Sequence, residues 1–192
     1  MIDRTPEPGQ PHLVLIGPPA AGKTRLGKRI ARILGASFID TDRRIVARHG
    51  PIAQIFSEYG EKYYRALERS EVTRALGERA VVALGGGAII DPLTQADLIS
   101  QRVALITVSP DAVAARILDG KRPLVSGIDT WSELVASRRE IYERLATCTW
   151  DTSHRPIDEI AAEIVNWIIE VAPPDDSAER LRRMTPPNDS AE

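Results

Sequence analysis

A single cysteine, Cys148, in 192 residues leaves no partner for an internal disulfide, which excludes a stapled secreted scaffold. No apolar run approaches the ~18 residues that a membrane helix needs, so no membrane association is expected. Charge of one sign is also missing: 25 Lys and Arg stand against 27 Asp and Glu, a formal net charge of −2. That balance gives no support to a nucleic-acid partner held by bulk charge. Residues 1–10 are polar and carry Asp3 and Glu7, so they lack the basic and then apolar order of a signal peptide. His12, His49 and His154 show no metal-ligand spacing, and no internal repeat is visible. What remains is 43% hydrophobic and 27% charged residues, an ordinary globular composition. The length suits one domain with a sizeable core, and a cytoplasmic location is expected.

The pattern alternates strand and helix. His12–Ile16, bounded by Pro11 and Gly17, is apolar on both faces and predicts a buried parallel strand. Leu26, Ile30, Ile33 and Leu34 recur at helical spacing opposite Arg25, Lys28, Arg29 and Arg32, which predicts an amphipathic helix over Lys23–Leu34 stopped by Gly35. Further strands are expected at Ser37–Asp40, Ala80–Leu84, Arg102–Val108 and Thr149–Thr152. Helices are expected near 42–48, 52–58, 61–76 and 93–100, from Ser109-Pro110 onward, over 130–146 and over 157–171. Ser109 and Pro110 suit an N-cap and first helical position, and Thr130 with Glu133 suits a capping box. The domain therefore reads as α/β around a five-stranded parallel sheet spanning 11–171. Residues 1–10 are expected to be flexible. Residues 119–129 are expected to form a loop, and the Pro-, Asp- and Ser-rich 172–192 a disordered tail.

Gly17-Pro18-Pro19-Ala20-Ala21-Gly22-Lys23-Thr24 matches G-x-x-x-x-G-K-[ST] at every specified position, between a strand and a helix. Such a loop points backbone N–H groups at one place beside a helix N-terminus, where an anion sits. Lys23 supplies charge for the β- and γ-phosphates, and Thr24 a hydroxyl for Mg²⁺. A chance glycine turn would not need all four fixed positions. No N-K-x-D guanine motif is present, and no D-x-x-G lies at a plausible switch position. A small-molecule kinase, with core, acceptor pocket and lid, suits the length.

Six further features come in order: Asp40-Thr41-Asp42; Gly60 to Arg65 with Glu68; Leu84-Gly85-Gly86-Gly87-Ala88; Lys121-Arg122-Pro123-Leu124; Arg138 four residues before Tyr142; and Asp151 to Arg155. Together with the phosphate loop, this series resembles the shikimate kinase family over roughly 13–169. The resemblance implies a P-loop kinase fold, an acceptor segment about 41–76 and a lid about 119–129. It also implies transfer of phosphate from ATP to the 3-hydroxyl of shikimate, in aromatic amino acid biosynthesis, by a monomer. Lys23, Asp42 and Arg122 would be catalytic. Gly17, Pro19, Ala20, Ala21, Gly22, Lys23, Thr24, Arg116, Arg122 and Arg155 would bind ATP, the last with Arg116 flanking adenine. Asp42, Arg65, Gly85, Gly86, Gly87 and Arg138 would bind shikimate. In that set Arg65 and Arg138 clamp the carboxylate, for which guanidinium has the matching planar shape. Gly86 faces the acceptor and Gly85 the γ-phosphate side. Mg²⁺ would meet Thr24 and, through water, Asp40.

Alternatives remain a related kinase of another hydroxy acid such as gluconate, or a non-catalytic nucleotide-binding regulator. Departures from the family pattern are few. Ala20 replaces a usual glycine and costs on the order of 1 kcal/mol if that site needs positive φ. Tyr64 stands where phenylalanine is usual, lining the acceptor pocket. Arg25 follows Thr24, where a small hydroxyl residue is usual. Arg43 and Arg44 are expected to make the pocket mouth more basic. Trp131, Trp150 and Trp167 read as core or pocket wall, Cys148 as a small buried hydrophobe.

Overall fold

The computed structural model describes residues 10–118 and 127–171. Most of the expected flexible N-terminus, residues 119–126 of the expected lid with Arg122, and the expected tail lie outside the described residues.

The chain runs β1 (Leu13–Ile16), α1 (Lys23–Leu34), β2 (Ser37–Asp40), α2 (Thr41–His49), α3 (Ile52–Leu76) and β3 (Ala80–Ala83). A 3₁₀ turn at Ala88–Ile90 leads to α4 (Pro92–Leu98), β4 (Val103–Thr107), α5 (Pro110–Leu118), α6 (Gly127–Leu145), β5 (Cys148–Asp151) and α7 (Ile157–Val171). All strand pairs are parallel, in the order β2-β3-β1-β4-β5. β1 is fully buried, as its uninterrupted apolar run requires.

Side chains alternate across the strands and build two cores. Leu13, Leu15, Val81, Ala83 and Ile106 face α1 and α7. Val14, Ile16, Val82, Leu84 and Leu105 face α3, α4 and the last turns of α6. Helix α6 takes part in both: Trp131 belongs to the first core, Tyr142 and Leu145 to the second.

Several boundaries follow from local chemistry. Gly35 closes α1 with φ +62, and the following Ala36 N–H reaches Ala31 O at 2.9 Å. Gly60, with φ +80 and ψ 170, breaks α3 into the two helical segments expected there. The side chain of Asp40 caps α2 at the Arg43 N–H, and Ser109 Oγ accepts from Ala112 N–H at the start of α5. The capping box at Thr130 does not form. The helix already runs at Gly127, Ser132 Oγ bonds back to Ile128 O, and Ile128 packs on the first core while Asp129 sits in the first turn. Burial of Ile128 and the favourable end charge of Asp129 outweigh a cap at Thr130. Cys148 is half-buried on the edge strand β5 rather than in the core.

Candidate active site

The loop after β1 and the loop after β3 meet at the carboxyl edge of the sheet, where open α/β sheets bind ligands. In the first loop Gly17, Ala20 and Gly22 have φ +137, +64 and +89. A side chain at Gly17 would collide with the backbone carbonyl of Ile106 on β4. Ala20 is the sole non-glycine residue with positive φ among the described residues, so the site does demand the conformation its family glycine would supply.

Every carbonyl from Gly17 to Ala21 is held by a side chain. Lys23 Nζ donates to Gly17 O at 2.6 Å and to Pro18 O at 3.0 Å. Trp131 Nε1 donates to Pro19 O at 3.0 Å, Arg116 Nη1 to Ala20 O at 2.8 Å and Thr152 Oγ1 to Ala21 O at 2.8 Å. A trans peptide sets the next N–H opposite its carbonyl. Holding Pro19 O and Ala21 O on the outside therefore turns the Ala20 and Gly22 amides inward. Helix α1 adds its own first-turn amides: Gly22 provides no side-chain cap and no acid stands in that turn. The result is a concave, electropositive cradle for an anion. Beside it Thr24 Oγ1 donates to Asp40 Oδ2 at 2.7 Å. This pair of hard oxygens suits Mg²⁺, which keeps several waters and takes few protein ligands. No group of three or more His, Cys, Asp or Glu among the described residues could hold a metal by itself.

The second half of the site centres on Asp42. Its carboxyl is pushed above the usual range, first by burial and then by the neighbouring Asp40, while Lys23, the Tyr64 hydroxyl and Arg65 pull it down. Tyr64 is buried, and its hydroxyl lies 3.3 Å from Asp42 Oδ1 and 3.5 Å from Glu68 Oε1. Burial raises Glu68 too, against the pull of Arg65. Arg65 Nη1 donates to Glu68 Oε2 at 2.7 Å, and Glu61 Oε1 accepts from Arg65 Nε and Nη2 at 3.2 and 3.1 Å. The guanidinium is thus oriented from both sides by acids one turn away.

The three glycines each admit a different neighbour. A methyl group at Gly85 would strike the Asp42 carboxylate, one at Gly87 the Arg65 guanidinium, and one at Gly86 would press on the Pro19 ring at 3.2 Å. The α-carbon of Gly86 thus faces the phosphate loop and that of Gly85 the acid cluster around Asp42. The Gly85 amide is also not open to a ligand, since it donates to Thr41 Oγ1 at 3.0 Å. Arg138 Nη1 and Tyr142 Oη both donate to Gly86 O at 2.9 Å. The next residue, Arg139, faces solvent instead.

The phosphate loop, Asp40, Asp42, Arg65, the triple glycine, Arg116 and Arg138 lie along this edge, Arg122 falls outside the described residues, and three other arginines pair elsewhere or face solvent. Arg44 does not reach the pocket mouth. It donates to Glu78 at 2.5 and 2.9 Å and to Glu71 at 3.3 Å, and Arg48 also pairs with Glu71. These ion pairs lock α2 onto α3. Arg155 is exposed and pairs with Glu163, and Arg25 faces solvent. Two residues take a role that the sequence did not assign them: Trp131, expected as core or pocket wall, and Thr152, within the Asp151–Arg155 series, hold the phosphate loop from far along the chain.

A phosphate cradle at the first βα turn, facing a carboxylate and two guanidiniums across a triple-glycine loop, defines a P-loop small-molecule kinase. The sequence model described as shikimate kinase matches residues 19–169. A curated shikimate kinase of Thermobifida fusca is 44% identical over 161 residues, covering 81% of this chain and 93% of that one. The chain belongs to the shikimate kinase family. Among solved structures, shikimate kinase from Acinetobacter baumannii in complex with shikimate superposes with a TM-score of 0.76 at 28% identity, covering 84% of this chain and 93% of that one. A gluconokinase from Sinorhizobium meliloti shares the fold, with a TM-score of 0.60 at 20% identity over 93% of this chain and 98% of that one.

Proposed function

We propose that the chain transfers the γ-phosphoryl group of ATP to the 3-hydroxyl of shikimate. The observation that carries this reading is the close approach of Gly86 to Pro19, with little room for a methyl group between them, which sets a phosphate cradle beside a pocket bearing Asp42, Arg65 and Arg138. The β- and γ-phosphates lie on the amides of Ala20 to Thr24, with Lys23 leaving its loop carbonyls to meet the growing charge. Thr24 and Asp40 hold Mg²⁺, which supplies charge neutralisation on the nucleotide when bound. Arg65 and Arg138 grip the acceptor carboxylate, and that grip sets its hydroxyl at Asp42. Asp42 accepts a hydrogen bond from the attacking hydroxyl, whose oxygen bonds to phosphorus as the bond to the ADP oxygen breaks; the proton passes to the Asp42 carboxylate. Arg116, held flat by Ala20 and Thr152, offers a planar face to adenine, with Arg155 near it. Arg122 adds a cation for the transferring group. Membership of the family supports the substrate pair.

A coupled ADP-release assay with shikimate, quinate, gluconate or no acceptor tests the reading. Turnover is expected with shikimate at least about tenfold above the others, since a site built on paired polar groups rejects ligands that leave them unpaired. Equal or faster turnover with gluconate would overturn the acceptor assignment.

A further inference from the structure

Helix α6 touches both halves of the site. Near its start Trp131 donates to Pro19 O in the phosphate loop; two turns later Arg138, and one turn after that Tyr142, donate to Gly86 O in the acceptor loop. Pro19 and Gly86 face each other across the two loops, so closely that a methyl group on Gly86 would lie 3.2 Å from the Pro19 ring. The helix passes from one core to the other across the carboxyl edge of the sheet, so both of its anchor points are fixed by packing. Trp131 is 4% exposed and shares its core with Ala21, Val113 and Ile164. Its ring cannot move without disturbing that core, and its N–H is aimed at the Pro19 carbonyl at 3.0 Å. We propose that Trp131 is a positioning residue for phosphoryl transfer: by pinning Pro19 O on the helix that also pins Gly86 O, it sets the spacing between the phosphate donor and the acceptor hydroxyl.

This inference rests on the kinase reading above, and the two are separable. Shikimate-dependent ADP release by the unaltered protein tests the reading; the ratio of a variant to that protein tests the role of Trp131. Trp131→Phe keeps an aromatic ring and removes only the donor. Loss of alignment between reacting groups lowers the chemical step more than binding, so kcat should fall about tenfold while the shikimate KM stays within about twofold. Both proteins are to be compared at 10 °C with circular dichroism confirming that they are folded, because a merely structural defect would vanish there and a misaligned site would not. Tyr142→Phe removes one of the two donors on Gly86 O. If α6 sets one spacing, the double variant should lose at least about threefold less than the product of the two single losses. Should Trp131→Phe fail to fold, β-(3-benzothienyl)alanine at position 131 keeps the ring size and replaces N–H by sulfur, with the same expectation. A kcat within twofold of the unaltered protein, a defect confined to KM, or losses that multiply would each overturn the proposal.

Discussion

Replacing Ala20 by glycine separates conformational strain from function in the phosphate loop. Ala20 holds φ +64 in a conformation forced by its place between Pro19 and Ala21, whose carbonyls are both tied to distant side chains. Left-handed backbone costs an alanine roughly 1–2 kcal/mol. Glycine removes that cost but gains freedom in the unfolded chain, which returns about 0.4–1 kcal/mol. The methyl group packs at the margin of the first core and stays partly exposed, so its loss adds a few tenths of a kcal/mol at most. The net expectation is a stabilisation of about 0.5 kcal/mol, a rise in Tm of about 1–2 °C for a chain this size. The Ala20 carbonyl keeps its bond to Arg116, so kcat and the ATP KM should hold within about twofold. Differential scanning calorimetry with parallel kinetics gives both numbers. A Tm lowered by more than about 2 °C would refute the strain argument, since it would mean the alanine is at ease where it stands.

Other expectations follow from the acceptor side and the helix lock. Arg65→Lys keeps the charge but loses the fork held by Glu61 and Glu68, so the shikimate KM should rise on the scale of a charged hydrogen bond, about 1.5–3 kcal/mol, with the ATP KM unmoved; the opposite pattern would place Arg65 at the nucleotide. Lys23→Ala and Asp42→Asn should each cut kcat at least about 100-fold, and equilibrium nucleotide binding should survive only in the second. Tyr64→Phe removes a long hydrogen bond to Asp42; a fall in kcat of about two- to fivefold is expected, and an unchanged kcat would show that the hydroxyl is idle. Glu78 is held below its ordinary value by the Arg44 guanidinium. A lowered folded-state value contributes stability above the unfolded-state value, and this is lost as pH falls through the folded one. The stability difference between the unaltered protein and Glu78→Gln, about 0.5 kcal/mol or less at neutral pH because the pair is partly exposed, should therefore close on acidification, as thermal melts at each pH would show.

The phosphate loop and the five parallel strands were legible because their signals are local. Four fixed residues in eight define the loop, and short apolar runs between glycines mark buried parallel strands. Asp40, Asp42, Arg65 and Arg138 came from a spaced series, and the fold brings them to Thr24, Tyr64, Glu68 and Gly86 respectively. What stayed hidden depends on contacts between distant segments. Whether Arg44 meets substrate or Glu78 is decided by how α2 packs on α3, not by its place after Asp42. The start of α6 is decided by burial of Ile128, which overrides a satisfactory capping pattern three residues later. Which neighbour crowds each α-carbon of the triple glycine follows from how the loops pack, and three identical residues carry no hint of it.

The carbonyl contacts of the phosphate loop also bear on how the protein folds. Arg116, Trp131 and Thr152 reach Ala20, Pro19 and Ala21 across 96, 112 and 131 residues. Contacts of such separation are made only after the intervening chain has been ordered, and they slow folding accordingly. The eight-residue motif is contiguous, yet its working shape belongs to the last stage of assembly. Nucleotide affinity should therefore return only with the slowest refolding phase, after the helical signal has recovered, so that capture of ATP reports a completed fold.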